Sequence, residues 1–280
     1  MKIKIGAGIL VFFILMALLG PLLIGTDPAA TSNDGLQGPS AEHWLGTTQT
    51  GQDILVQVVY GARISMGVGL LSAMIATVLA VAVGLVGGYF GGAIDETLSV
   101  LTNIFLVLPA LPLIIVLAGY LPQRGVASVA VVIAVTGWAW GARVLRAQTL
   151  SVRRRDFVEA AKASGERPFR IVFFEILPVL LPVIATSFLA TVVGAILAEA
   201  GLSFLGLADL STVSWGTMLY FAQTGQALLI GAWWWFIPPG LCIALVGTGL
   251  ALVNFGIDEL ANPRLRTIRA PRKRKAEGTA

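Results

Sequence analysis

The sequence holds one cysteine, Cys242, one histidine, His43, and few charges of either sign. A lone cysteine excludes an intrachain disulfide framework and any multi-cysteine cluster or zinc site. A lone histidine excludes a multi-histidine metal site, and His43 reads as a polar loop residue. There is no Gly-Lys pair anywhere, so the G-x-x-x-x-G-K-[ST] loop that cradles nucleotide phosphates is missing. No G-x-S-x-G elbow and no carboxylate pair within one span support hydrolytic chemistry. Catalysis, metal binding and nucleic-acid binding are therefore not expected of this chain. What is present is apolar: 56% of 280 residues are hydrophobic, 12% are charged, and the mean hydropathy is +0.86. That balance is foreign to a soluble domain of this size and points to lipid as the solvent. The 32 glycines and 13 prolines fit the same setting, because packed membrane helices tolerate both.

A spanning helix needs about 20 mostly apolar residues to cross a hydrocarbon layer of roughly 30 Å. Runs of that kind lie at 5–26, 64–94, 97–123, 125–142 continuing past Arg143, 176–198 and 231–257, which predicts six helices. The semi-polar stretch before the last of them, with Ser211, Thr212, Ser214, Thr217, Gln223, Thr224 and Gln226, reads as a loop. The chain divides into an N-terminal helix (1–26), an extracytoplasmic loop (27–63), a membrane core of five helices (64–257) and a basic tail (258–280). The start Met1-Lys2-Ile3-Lys4 resembles a signal peptide, but the apolar run is long and no small-x-small site ends it.

Seventeen of the 19 basic residues fall on one side if both termini are cytoplasmic. They are Lys2 and Lys4, eight residues from Arg143 to Arg170, and seven in the tail from Arg264 to Lys275. Only Arg63 and Arg124 fall elsewhere, and the positive-inside rule sets this orientation.

Within the basic loop, Asp156 to Gly165 has the grammar of a short helix. Asp156 is a candidate N-cap with Glu159 as capping-box partner, Ala160, Ala161 and Ala163 favour helix, and Gly165 suits a left-handed stop. Pro168 suits the first turn of the next helix. Phe157 and Val158 are candidate apolar anchors. Taken alone, this is either a docking element or a solvated interfacial helix.

Glu159-Ala160-Ala161, Gly165 and Ile176-Leu177-Pro178 together resemble the EAA loop of bacterial ABC importer permeases. Further stretches resemble the C-type subunit of the dipeptide, oligopeptide and nickel class. These are His43-Trp44-Leu45-Gly46-Thr47 with Gly51-Gln52-Asp53, Tyr60 to Ser65, Gly88-Tyr89-Phe90-Gly91-Gly92 with Asp95, Glu199 to Leu207, Trp215 to Leu219, and Asn262-Pro263-Arg264-Leu265. The outer-loop signature usually carries Asp and Arg where this chain has Thr48 and Gln52, so a local change at the outer face is expected.

The resemblance implies an all-α type I importer permease with six transmembrane helices and a cytoplasmic coupling helix between helices four and five, in the bacterial inner membrane. It implies a second homologous permease, two ABC ATPases that bind ATP and Mg, and an extracytoplasmic solute-binding protein. Asp156, Phe157, Glu159, Ala160, Ala161 and Gly165 would dock the ATPase, while Arg153, Arg154 and Arg155 would meet the ATPase or anionic lipid. Polar groups at membrane depth are candidates for the path, namely Thr102, Asn103, Thr191, Glu199 and Asn254, with packing against the second permease as the alternative. Pro109 and Pro112 would bend helix three. Gly67, Gly69, Gly84, Gly87 and Gly88 suit close helix packing. The segment 201–215, with Phe204, is a candidate gate or an interfacial anchor aided by Trp215 and Trp233-Trp234-Trp235. Other functions stay open: a secondary carrier with Glu199 as coupling carboxylate, a membrane scaffold, or the same importer class carrying nickel or oligosaccharide.

Overall fold

The computed structural model describes residues 2–120 and 125–261. Arg124, the ending Asn262-Pro263-Arg264-Leu265 and the tail run Arg269 to Lys275 lie outside the described residues.

The elements are helices α1 (Lys2–Ile24), α2 (Ile54–Phe90), α3 (Gly92–Val107), α4 (Ala110–Gly119), α5 (Val126–Val152) and α6 (Asp156–Ala163). They are followed by α7 (Pro168–Arg170), a π-helical segment (Ile171–Ile176), α8 (Leu177–Phe204), α9 (Trp215–Thr224) and α10 (Trp233–Ala261). Among the described residues there is no strand, only an isolated bridge between Thr47 and Asp53. Five helical rods are long and apolar enough to cross a membrane: α1, α2, α5, the continuous rod Pro168–Phe204, and α10. The sixth candidate is the pair α3 and α4, bent by 91°.

Each departure from the expected spans has a local cause. Helix α2 begins at Ile54, well before the uncharged run at Ile64, because Asp53 caps it: its Oδ1 accepts from Val56 N at 3.1 Å. At 37 residues and about 1.5 Å per residue the helix is longer than the hydrocarbon layer is thick, and Arg63 lies in its third turn. The bend after α3 falls where proline was expected to act. Pro109 takes the extended conformation that precedes α4, and Pro112 sits in the first turn of α4, where its missing N–H has no helical acceptor. The fifth span starts at Pro168 instead of Ile176, running through a π turn in which Leu177 N donates to Val172 O. Pro178 lacks an N–H and its ring crowds the carbonyl four residues back, and a widened turn relieves that clash.

Three apolar cores hold the rods together. Phe13 of α1, Ile54, Ala62 and Met66 of α2, and Trp215 and Met218 of α9 form the outer one, where the Phe13 and Trp215 rings meet edge-on with centroids 5.6 Å apart. Leu85, Leu145, Val158, Ile171, Ile176 and Leu180 form the inner one, and Val68, Ile114, Ile133 and Leu202 a third. Helix α2 lies along α5 through glycines: a Cβ on Gly84 would stand 2.8 Å from Leu145 Cβ, and one on Gly88 would stand 2.6 Å from Thr149 Cβ. This spacing of four residues matches the close-packing role read from the sequence, whereas Gly67 faces open space.

The rods place both described chain ends on one side. Tyr60 OH donates to Pro21 O, so the end of α1 meets the start of α2. Lys2 Nζ lies 5.9 Å from the Phe255 ring, so the start of α1 meets the end of α10. The same side carries Arg153, which reaches the last turn of α2.

Candidate functional site

At the end of the bundle that carries the described chain ends, α6 and its neighbours form a compact element. Val158 is fully buried against Ile171, Val172 and Ile176, whereas Phe157, Glu159, Ala160, Lys162, Ala163 and Gly165 are exposed. Of the two expected anchors, Val158 alone points inward. The start differs from the expected capping box: Arg155, not Asp156, is the extended N-cap residue, and its carbonyl accepts from Val158 N and Glu159 N at 3.0 and 3.1 Å. Asp156 thus becomes the first helical residue, where its charge still suits the helix dipole. Glu159 Oε1 does not reach back to a backbone N–H but accepts from Lys162 Nζ at 2.9 Å. The stop matches expectation. Gly165 has φ +78°, Glu166 N donates to Ala161 O at 3.2 Å, and Gly165 N donates to Lys162 O at 3.0 Å, a Schellman closure.

The element is bracketed to the rest of the inner face. Arg153 Nη1 donates to Gly88 O at 2.9 Å and to Tyr89 O at 3.1 Å, and Lys162 Nζ lies 6.0 Å from the Tyr89 ring. Beside it, Arg146 Nη2 donates to Asp95 Oδ2 at 2.7 Å, a forked pair between α5 and α3. Arg153 is therefore engaged within the chain.

Between α2, α4, α5, α8 and α10 lies a chamber of about 480 Å³. Its lining brings together Thr191 and Asn254, two of the expected path residues, with Ser72, Thr136, Thr186 and Ser187. Sequence reasoning missed these last four, although Ser187 and Thr191 stand one helical turn apart in an otherwise apolar run. The remaining candidates lie elsewhere. Asn103 is exposed on α3. Thr102 is buried and donates to Leu98 O. Phe204 lines a separate, mostly apolar cavity with Leu219, Ala222 and Phe236. Glu199 is buried and accepts from Ser65 Oγ at 3.0 Å and Ser203 Oγ at 2.8 Å. Ser65 Oγ in turn accepts from Trp215 N at 3.1 Å, so this carboxylate knots α2, α8 and the start of α9.

The outer segment departs from the sequence reading. Its short helix is Trp215–Thr224, set by a Ser214–Thr217 capping box, and lies beyond the 201–215 stretch. Trp215 is fully buried, with Nε1 donating to Val58 O at 3.0 Å, and Trp235 is buried too, so neither is an interfacial anchor. Trp233 is half exposed, and Trp234 Nε1 donates to Thr47 O at 3.3 Å, pinning the outer loop. In that loop His43 Nδ1 pairs with Asp53 Oδ2 at 2.8 Å. Thr48 and Gln52 keep a neutral turn: Thr48 N donates to Gln52 O at 2.9 Å, and Gln52 N donates to Thr48 Oγ1 at 3.1 Å.

Rods long and apolar enough to cross a membrane pack around the chamber, and a short capped helix stands at one end. Residues 76–267 match the family described as binding-protein-dependent transport system inner membrane component, and the chain belongs to that family. It is similar to the dipeptide transport system permease protein DppC of Bacillus subtilis, with 36% identity over 93% of this chain and 81% of that protein. It is also similar to the oligopeptide transport system permease protein OppC of the same organism (34%, 94% and 85%) and to that of Mycobacterium tuberculosis (34%, 94% and 90%). The fold resembles the MetNI methionine ABC transporter in an inward-facing conformation. The TM-score is 0.59 at 19% identity, covering 78% of this chain and 98% of that one. The chain is thus a multi-pass inner-membrane permease with the type I importer fold, and ATP hydrolysis belongs to separate subunits.

Proposed function

We propose that this chain is one permease subunit of an ATP-driven importer for dipeptides, oligopeptides or similar small polar solutes. It forms half of the translocation path beside a second homologous permease, and an extracytoplasmic binding protein delivers the solute. Two ABC ATPases, which hold ATP and Mg, drive it, one docking through Asp156–Gly165, and both termini of the chain are cytoplasmic. The observation that carries the docking role is the inner element itself. It is rooted by buried Val158, closed at Gly165, and leaves Phe157, Glu159 and Ala160 exposed on a rigid stub. A stub of that kind transmits a rigid-body shift, which a loose loop would absorb. The names of the similar permeases favour peptides over nickel or oligosaccharide. Thr191 and Asn254 belong to the path on this reading. The carrier alternative is disfavoured because both oxygens of Glu199 are already engaged by serines.

The test is reconstitution of the full complex in liposomes. Glu159→Lys and Gly165→Pro are expected to leave the two permeases assembled while cutting ATP-driven uptake at least tenfold relative to ATPase turnover. Full coupled uptake by both variants would sink the docking role. Uptake by this chain alone without ATP would sink the importer reading.

A further inference from the structure

The connection between α9 and α10 is short, ordered and apolar. Ala227 N donates to Ala222 O at 2.9 Å, Leu229 N to Gln226 O at 2.9 Å and Ala232 N to Ala227 O at 2.8 Å. Gln226 and Gly231 take left-handed φ of +55° and +73°. The chain is thereby folded into a tight tip flanked by buried Ala227 and Ala232, between which Leu228, Leu229 and Ile230 are 75%, 81% and 52% exposed. Leu228 and Leu229 also border the apolar cavity of about 360 Å³ that Phe204 lines. Three consecutive aliphatic side chains held out on a braced turn mark a contact surface.

Three observations say what covers it. The sequence from Leu210 to Ile257 has no charged side chain, so the tip carries no charged rim toward water. The tip also continues the exposed face of a membrane-crossing rod. Trp233, Ile237, Leu241 and Leu245, about one turn apart on α10, are all exposed, whereas Trp235, Cys242, Val246 and Leu250 of the same helix are buried. At that end of the bundle α1 finishes with Leu22 and Leu23, both exposed. A protein that came and went would leave these side chains in water at each departure, but a lipid leaflet stays.

We propose that the tip 228–230 is a membrane-inserted anchor. Its three aliphatic side chains lie in the hydrocarbon of the leaflet opposite the described chain ends, with Trp233 at headgroup level. The inference rests on the membrane setting of the family and on no particular solute. The anchor holds one end of α9. Protein holds the other, since Trp215 N donates to Ser65 Oγ at 3.1 Å within the knot around Glu199. Ten helical residues therefore join a lipid contact to that buried knot.

The experiment uses the complete complex in vesicles of phosphatidylcholine and phosphatidylglycerol, with or without bromine on the acyl chains. A nitrobenzoxadiazole label is placed on Leu229→Cys, on Leu241→Cys of the α10 stripe, and on Glu42→Cys of the exposed loop. The complex without an added cysteine is the blank, because Cys242 is buried. Bromine quenching at position 229 is expected to fall within about twofold of that at 241 and to exceed that at 42 by about threefold or more, with iodide in the water giving the reverse order. Leu229→Asp, read by a label on Ile230→Cys, is expected to cut the bromine quenching by about twofold or more. Should the label at 229 disturb assembly, Ile230→Cys alone carries the measurement. Bromine quenching at the tip no greater than at 42 overturns the anchor. Shielding from iodide that appears only when binding protein is added would instead mark a docking surface for that protein. Constant shielding without bromine quenching would mark a contact with the second permease, and either result likewise overturns the anchor.

Discussion

Arg153 closes the C-terminal end of α2: its Nη1 donates to the carbonyl oxygens of Gly88 and Tyr89, 2.9 and 3.1 Å away. Those carbonyls belong to the last turn of a helix, where no backbone donor reaches them. The arginine also sits three residues before α6, so one side chain ties the last turn of α2 to the approach to that helix. Replacing it with alanine is expected to cost about 1.5–3 kcal/mol, the range for hydrogen bonds to a charged donor. Thermal unfolding of the detergent-solubilised complex should register the loss, and the same change at exposed Arg154 should fall within about 0.5 kcal/mol of wild type. Equal shifts at the two positions would contradict the bracket.

The forked contact of Arg146 with Asp95 holds the start of α3 to α5. Arg146 is about one-third exposed, with 36% side-chain exposure, so solvent screens part of the attraction. A double-mutant cycle with Asp95→Asn and Arg146→Gln is expected to give a coupling of about 1 kcal/mol in stability. A coupling near zero would mean that the pair is ornamental.

Glu199 separates a structural from an ion-coupling role. Glu199→Leu leaves Ser65 and Ser203 without their acceptor in a dry site and is expected to destabilise by about 2–3 kcal/mol. Glu199→Gln retains an acceptor oxygen and is expected to keep most of the stability and all of the ATP dependence of uptake. Loss of transport in a stably folded Glu199→Gln complex would reinstate the carboxylate as a functional group.

Helix packing supplies a fourth prediction. A Cβ at Gly88 meets Thr149 Cβ at 2.6 Å and Arg146 O at 3.0 Å, so Gly88→Val forces α2 away from α5 at a cost of about 1–3 kcal/mol or more. Gly67 has open space around it, and Gly67→Ala is expected to gain about 0.5–1 kcal/mol from helix propensity alone. Reduced yield for the first variant and unchanged or improved yield for the second is the pattern to look for.

Much of this was legible in the sequence because lipid imposes a simple code. Uncharged runs marked the membrane rods, and Pro109 marked the bend. The left-handed stop of α6 was likewise readable, since only glycine sits comfortably at φ +78°. The misses arose where a local cap or a distant contact outranked hydropathy. Asp53 started α2 early because a cap acts whatever the polarity of the following turn. Trp215 read as interfacial by composition, yet a carbonyl in α2 and a ring in α1 claimed it for the core. At the candidate site, Asn254 and Thr191 stood out as polar residues in apolar runs. Ser72 did not, because a small hydroxyl in the run Leu70-Leu71-Ser72-Ala73-Met74 looks the same whether it packs a neighbour or borders a cavity.

The π turn at Ile171–Ile176 sets the rotational phase of everything after it. An α-helix advances about 100° per residue, so the extra residue carried by a widened turn decides which stripe of α8 looks into the chamber. Exposed Phe169, Phe173 and Phe174 lie before or within it, and Thr186, Ser187 and Thr191 lie beyond it. Removing one residue there would alter neither hydropathy nor charge, yet it would swing the hydroxyls toward an apolar neighbour and an apolar stripe toward the chamber. The azimuth of the polar stripe is thus fixed by a backbone irregularity near one end of the rod, about three to four turns away from the hydroxyls it aims.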